Sequence, residues 1–456
     1  MTGEGTGRMT SKIEIQNVYG LTPLQEGMLF HSQSDSGTGA YVQQLLIRFS
    51  GELSVEALRE SYLGLVKRHD VLRTVFRASN TDKPLQVVLK ERPVNIRQED
   101  WRHLPPDGQE KRLADFAGED RRIGFDLARE VPVRLTAIRL GERSSALHLS
   151  FHHILLDGWS LGLLLGELFD GYTAHVKGNA YTPEAPAFAF GRYLHWLSGR
   201  DDKAAESYWR SYLSGVEGIS GLPRTRPASV SAGTQSPVET YSFSFDEKLT
   251  GELNALAQAH GVTLSTVFQT LWGVLLHRYG GTEDAVFGSV VAGRPAGLPG
   301  IEQALGLFIH TVPVRVQAGS RSFSAILQEV QQDVLASADH EAYPLYAIQA
   351  LHGGRSPLFD HVVAFENYPL DRDSLLAASS GSTVTDLEWH EETNYDVHVT
   401  VHPGRELTVR CVYRPSAFDR GIFRRLEGHL RMLAASAVRY PERPGGGAGL
   451  YNGGGK

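Results

Sequence analysis

Cysteine is almost missing from this sequence. Its 456 residues hold a single one, Cys411, which excludes an internal disulfide framework and any cysteine-based zinc site. Set among Val409, Arg410, Val412 and Tyr413, it reads as a small buried thiol in a strand. Long apolar runs are missing too: nothing approaches the roughly 18 uninterrupted apolar residues that a bilayer-spanning helix needs. An excess of positive charge is also absent. The net charge is −7 with both signs interspersed, so the chain offers no basic footprint for nucleic acid. The opening residues Met1–Arg8 lack the apolar stretch of a signal peptide. The chain is therefore expected in the cytoplasm.

What is present belongs to a globular protein. An apolar fraction of 41% and a charged fraction of 21% suit a packed fold, and the length suits two domains or lobes better than one core. Residues 1–12 are small and polar, and residues 445–456 are glycine-rich, so both ends read as flexible linkers. Between them, 13–185 and 186–444 are read as two lobes of mixed α/β pattern. The first opens with a strand over Val42–Phe49. A helix follows, with Ser54 as N-cap and Val55, Leu58, Tyr62 and Leu65 on one face. A later strand, Ala146–Phe151, alternates Leu147, Leu149 and Phe151 with polar residues.

The passage Gly215–Pro237, loaded with glycine, proline and serine, predicts a surface crossing. The grammar then restarts. Tyr241–Phe245 alternates as a strand, Lys248–His260 is helical with Gly261 ending it, and Thr263–Tyr279 is a more apolar, buried helix. Further strands are expected at 285–291, 310–316, 361–366, 396–402 and 407–413. Two halves with one order of elements predict two similarly built lobes, with an active site in the cleft between them.

The segment richest in chemistry is Ser150-Phe151-His152-His153-Ile154-Leu155-Leu156-Asp157-Gly158-Trp159-Ser160. A strand delivers two histidines at its end, and a short apolar turn brings back an aspartate and a glycine. Strand alternation sends His152 and His153 to opposite faces, so only one of them can meet a given substrate. Imidazole, with an ordinary pKa of about 6.5, suits the handling of an amine or hydroxyl proton at neutral pH. Asp157 can orient a histidine or pair with an arginine to fix the loop. Gly158 is expected to permit a turn that a side chain would forbid. His148, His152 and His153 have neither the helical nor the cysteine-rich spacing of zinc ligands, so no metal site is proposed.

HHxxxDG is the signature of the condensation domains of nonribosomal peptide synthetases, and the rest of the chain resembles that family in order. Leu21–His31 is similar to its first motif, Arg68–Phe76 (RHDVLRTVF) to its second, and Gly306–Arg315 to its fifth. His340–Gln349 and Arg355–Pro369 resemble the sixth and seventh. The resemblance covers about residues 17–440. It implies an α/β fold of two chloramphenicol acetyltransferase-like lobes, arranged as a V-shaped pseudo-dimer around a central tunnel.

The resemblance further implies that an acceptor amine attacks a donor thioester, both carried on phosphopantetheine arms. Those arms belong to donor and acceptor peptidyl carrier domains, so no cofactor is bound permanently, and an adenylation domain is the expected neighbour. By similarity His153 is the catalytic histidine, either taking a proton from the amine or holding the amine in place, and His152 is structural. Asp157 and Gly158 complete the motif, with Arg294 as the expected partner of Asp157. Trp159, Ser160, Gln25 and His310 are assigned to the substrate tunnel, although Gln25 can equally cap a helix. Arg68 and Arg73 are read as stabilising their lobe.

Two positions depart from the family pattern. His310 stands where asparagine is usual, and Arg192 stands where the fourth motif has an acid. The first motif, TPLQEGMLFHS, together with PLYAIQ and LFDHVVAFENYP, looks more like domains that take a donor ending in a D-residue. Two competing readings are a coenzyme A-dependent acyltransferase of the same fold and a catalytically silent docking module.

Overall fold

The computed structural model describes residues 14–34, 39, 41–78, 83–182, 188–217, 220–225, 238–282, 284–353, 357–367, 383–393 and 395–444. In chain order the first elements are β1 (Ile15–Gly20), α1 (Pro23–Ser34), β2 (Val42–Ser50), α2 (Val55–Arg68), β3 (Thr74–Arg77) and β4 (Leu85–Leu89). There follow β5 (Ile96–Asp100), α3 (Pro106–Ile123), β6 (Val133–Gly141), β7 (Ser144–His152), α4 (Gly158–Val176) and α5 (Phe190–Ser198). Next come α6 (Asp202–Tyr212), β8 (Glu239–Phe245), α7 (Glu247–His260), α8 (Leu264–Gly280), β9 (Asp284–Val291) and β10 (His310–Gln317). The chain ends with α9 (Phe323–Ser337), α10 (Leu345–Leu351), β11 (His361–Phe365), β12 (Thr383–His390), β13 (Val397–His402), β14 (Leu407–Tyr413) and α11 (Arg420–Arg439). Both expected flexible ends lie outside the described residues, as does most of the expected crossing after Gly215.

The chain divides into two compact units. The first comprises Met1–Trp196, Leu298–Leu307 and Leu370–His390, and the second Leu197–Gly297, Phe308–Pro369 and Glu391–Lys456. A single cut at 185/186, as expected from the sequence, thus gives way to a boundary inside α5 and two later stretches that return to the first unit.

In the first unit a five-stranded sheet runs in the order β12-β2-β7-β6-β5, with β7 at its centre. Leu147 and Leu149 sit opposite Ile47 and Leu45 on β2, on the face where the Phe49 ring meets Phe169 of α4. The opposite face carries Ala146 and Ile138, packed with Leu113 and Phe116 of α3. Helices on both faces explain why β7 is buried from its second residue to its last. His148 and Ser150, polar in an alternating pattern, lie under α3 rather than in water. Helices α2 and α4 approach closely, with the Ser61 hydroxyl donating to the Leu168 carbonyl at 2.7 Å. A smaller sheet, β1-β4-β3, is tied to α2 by Arg73, whose buried guanidinium donates to Val66 O, Gln16 Oε1 and Leu89 O.

The second unit is built on a six-stranded sheet in the order β10-β9-β11-β13-β14-β8. Its larger core joins Phe245, Phe287, Val316, Val399 and Val409 to α7, α8, α9 and α11 through Leu253, Trp272, Leu327 and Leu426. Trp209, Ile348 and Phe359 cover part of the remaining surface with Val286, Val312 and Val362. Cys411 lies in β14, fully buried. Within the expected surface crossing, Val216, Ser220 and Leu222 are buried, because Val216 and Leu222 pack into the two apolar clusters of this unit. Gly261 closes α7 in the left-handed region at φ 64°, as its place in the sequence predicts.

Candidate active site

Strand β7 carries its last backbone pair at His152, opposite Val42 of β2. The next amide, His153 N–H, donates to Tyr41 O at 2.8 Å. Tyr41 is held at φ 63°, a left-handed conformation that costs a non-glycine residue about 1–2 kcal/mol and often marks a functional turn. The chain then turns back, with Leu155 N–H donating to His152 O at 3.0 Å. Ile154, Leu155 and Leu156 anchor this turn with no exposed surface at all.

The two histidines are held in opposite tautomers. His153 Nδ1 lies 2.8 Å from the Leu156 carbonyl. A carbonyl only accepts, so Nδ1 carries the proton and Nε2 keeps a free lone pair in the neutral ring. The ring is partly exposed. His152 is buried, and its Nδ1 accepts from Ile154 N–H at 3.1 Å, which puts its proton on Nε2. That Nε2–H faces Ser32 Oγ at 2.9 Å, and the serine hydroxyl in turn donates to Met28 O at 2.7 Å. Burial, with His153 adding repulsion, pushes His152 down to about 3, so it stays neutral. His153 presents the partly exposed ring, and His152 is buried in the scaffold.

Asp157 is the N-cap of α4, accepting from Ser160 N–H at 2.8 Å with no exposed surface. Removing such a cap costs about 0.5–2 kcal/mol. Gly158 is the first residue of the helix, with helical backbone; the expected need for a turn that only glycine can make is not met. Ser160, expected in the tunnel, is buried instead. Its hydroxyl donates to Gly306 O at 2.8 Å and accepts from Gly306 N–H at 3.1 Å, and Asp157 N–H also reaches Gly306 O at 3.1 Å. These bonds pin the returning stretch Leu298–Leu307 to the start of α4. Trp159 is partly exposed, and its Nε1–H donates to Glu302 O of that stretch at 2.8 Å.

Gln25, also expected in the tunnel, is a buried capping residue. Thr22 and Gln25 form a reciprocal capping box at the start of α1, with Gln25 Oε1 accepting from Thr22 N–H at 3.0 Å and Thr22 Oγ1 from Gln25 N–H at 3.2 Å. The Gln25 amide also donates to Ile154 O at 3.1 Å and accepts from Gln86 Nε2 at 3.2 Å. Sequence reading found Gln25 through its motif but missed Ser32, Tyr41 and Gln86, which act on the turn from far away in the chain. Tyr41 left no signal at all, since nothing about a tyrosine announces positive φ.

Arg294 and His310 belong to the second unit. The Arg294 guanidinium lies over the Phe308 ring, 4.1 Å from its centre. His310 opens β10, buried, and burial pushes it down to about 4. Arg192, on α5, stacks over Phe188 at 4.6 Å, a contact that an acid could not make. Asp157 lies in the first unit and Arg294 in the second. A cavity of about 1070 Å³ in the first unit is lined by Arg92, Phe116, Asp120 and Arg134, among others, and by none of the HHxxxDG residues.

Comparison with known proteins identifies the family. The family model described as Condensation domain matches residues 15–450. Gramicidin S synthase 2 of Brevibacillus brevis is 37% identical over 434 residues, covering 94% of this chain and 10% of that protein. Tyrocidine synthase 2 of Brevibacillus parabrevis is 38% identical over 428 residues, covering 93% of this chain and 12% of that protein. The chain therefore spans a small part of the curated relatives it matches. Among solved structures, the X-domain from teicoplanin biosynthesis superposes with a TM-score of 0.79 at 21% identity, covering 96% of this chain and 99% of that one. The first condensation domain of the calcium-dependent antibiotic synthetase, in complex with a substrate analogue, gives 0.76 at 20% identity, covering 95% and 100%. With the paired histidines at the end of a central strand and a family match that runs almost from one end to the other, the chain belongs to the condensation-domain family of nonribosomal peptide synthetases.

Proposed function

We propose that this domain forms a peptide bond between two groups held as thioesters on phosphopantetheine arms. The arms belong to donor and acceptor carrier domains of the same assembly, beside an adenylation domain. The acceptor amine attacks the donor carbonyl carbon, a carbon–nitrogen bond forms, and the carbon–sulfur bond breaks. The amine loses a proton, the departing thiolate takes one up, and the lengthened chain rests on the acceptor arm. Because thioesters are good acyl donors, holding the amine in line supplies much of the acceleration.

The observation that carries this reading is the state of His153. Its Nδ1–H is committed to Leu156 O, so Nε2 offers a lone pair to the amine N–H from a ring of fixed orientation. That nitrogen can hold the amine for attack and receive the proton it sheds. His152, neutral and fully engaged, takes no part in the proton transfer. The form of the motifs TPLQEGMLFHS, PLYAIQ and LFDHVVAFENYP supports a donor ending in a D-residue.

The test is a reconstituted reaction. A donor carrier loaded with a D- or L-ended peptidyl thioester is mixed with an acceptor carrier loaded with an amino acid, and the acceptor-bound product is read by intact mass. Product is expected with the wild type, in greater amount from the D-ended donor. His153→Ala is expected to slow turnover by about 10²–10⁴-fold, the usual worth of a placed acid or base. Carrier binding without product from any loaded pair would favour a silent docking module. Turnover of free coenzyme A thioesters in place of carriers would favour the acyltransferase reading.

A further inference from the structure

We propose that Gln25 and Ser32, both on α1, are positioning residues for His153. The proposal rests on the reading that His153 acts through Nε2, and it names what fixes that nitrogen. Ser32 lies two helical turns beyond Gln25, so the two side chains share one face of α1. Met28, whose carbonyl receives the Ser32 hydroxyl, lies between them.

That face grips the turn after β7 at two points. Gln25 Nε2 donates to the carbonyl of Ile154. The N–H of the same residue donates to His152 Nδ1, and the far side of that ring is held by Ser32 Oγ. Both polar groups of Ile154 are therefore fixed from α1, one directly and one through His152. His153 precedes Ile154, and its ring bonds to Leu156 O two residues beyond. The Ile154 peptide groups lie inside the loop that this bond closes. Rotation of either peptide would carry Leu156 O away from Nδ1, release the ring and let the proton move to Nε2.

The grip is well anchored. Gln25 and His152 are each 2% exposed. Thr22 and Gln86 satisfy the remaining oxygen of the Gln25 amide. Gln86 in turn donates to Gly20 O at 2.8 Å, which ties the arrangement to β1. Neither Gln25 nor Ser32 needs to touch substrate. A helix that holds a turn at two points is the kind of rigid support that catalytic geometry requires.

Two substitutions separate positioning from folding. Gln25→Glu keeps an oxygen to accept from Thr22 N–H, as a capping box allows, but loses the donor to Ile154 O. Ser32→Ala leaves α1 a good helix and removes the acceptor for His152 Nε2–H, together with the hydroxyl's own bond to Met28 O. Two measurements are made on the intact domain. Long-range proton–nitrogen NMR of histidine-labelled protein reads the tautomer of His153 directly, with or without turnover. The carrier assay reads kcat and the KM for the acceptor carrier.

The wild type is expected to show His153 as the Nδ1–H form. Each folded variant is expected to show a mixture of tautomers, with kcat lowered about 10- to 100-fold and KM within about twofold, since misplacement by 1 Å can cost 10²-fold. Ser32→Thr, which retains the hydroxyl, is expected to recover most of the loss seen in Ser32→Ala. A His153 ring that stays Nδ1–H in both folded variants overturns the proposal, whatever the rate does. So does a shifted ring with unchanged kcat. If the wild type itself makes no product, the functional reading falls, and the tautomer measurement alone decides whether α1 positions the ring.

Discussion

Lowering the pH from 7.5 to 5 is expected to loosen the first unit much more than the second. In the first unit, burial pushes His152 down to about 3 and His148 down to about 4; Asp120 works against that burial for His148, and Arg121 and Arg134 work with it. In the unfolded chain both return to about 6.5. A histidine whose folded pKa lies below its unfolded value binds more protons when unfolded. Its contribution is intact above about 6.5 and is lost as pH falls toward the folded value. At pH 5, 1.5 units below 6.5, each loses about 2 kcal/mol, or about 4 kcal/mol for the pair. That is a large share of the roughly 5–15 kcal/mol that stabilises a typical domain.

The second unit has the same liability in His310, pushed down to about 4 by burial. It also has a compensating group. Burial pushes Glu341 up to about 7, so this carboxyl binds its proton more readily when folded and stabilises the unit as the pH drops. Between pH 7 and 5 it returns about 2 kcal/mol, roughly what His310 loses. Urea titrations at the two pH values, each followed by a deuterium pulse at one common pH and peptide mass analysis, report β7 and β13 separately. The β7 midpoint is expected to fall by about 1.3–2 M at pH 5 for an m-value of about 2–3 kcal/mol/M, and the β13 midpoint by much less. Equal shifts in the two strands, or none in β7, would refute the reasoning.

Cys411 is buried in β14, and burial pushes its thiol up to about 12. A thiol reagent at pH 8 is expected to leave the native protein unlabelled and to react fully in urea; rapid native labelling would place the residue elsewhere. In α8, a Cβ on Gly273 would collide with the Val316 side chain. Gly273→Ala is therefore expected to lower stability by about 1–3 kcal/mol or more, read as a reduced urea midpoint. Gly64 in α2 has open space where a Cβ would go, so Gly64→Ala is expected to raise stability by up to about 1 kcal/mol in the same measurement.

Elements that depend on local periodicity were legible in the sequence. The expected strands at 285–291, 310–316, 361–366, 396–402 and 407–413 all form, within a residue or so at each end. The caps Ser54 and Gly261 sit at helix ends, where their chemistry puts them, and Thr263, read as the first helical residue, is the N-cap instead. Pairing was not legible. Alternation tells which face a side chain takes but not which strand lies alongside, so nothing in Thr383–His390 announces that it pairs with β2, more than 300 residues earlier in the chain. The polar half of β7 misled for a related reason: His148 and Ser150 look solvent-facing until α3 is placed over them.

The site shows the same division more sharply. Two adjacent histidines are interchangeable in composition, and alternation says only that they part company at the strand end. What separates them is the backbone they meet there. His152, the last residue of the ladder, finds an N–H ahead of it and must present a bare Nδ1. His153, the first residue of the turn, finds a carbonyl three residues on and must present a protonated Nδ1. Tautomer follows from partner, and partner follows from the path of a three-residue apolar turn whose side chains are wholly buried. The run Ile154-Leu155-Leu156 therefore does more than fill the core. By sinking the turn it aims one carbonyl at His153 and one N–H at His152, and it leaves the partly exposed ring the Nε2 lone pair on which the proposed handling of an amine rests. Substitutions in that apolar run should consequently behave like changes at the histidines themselves.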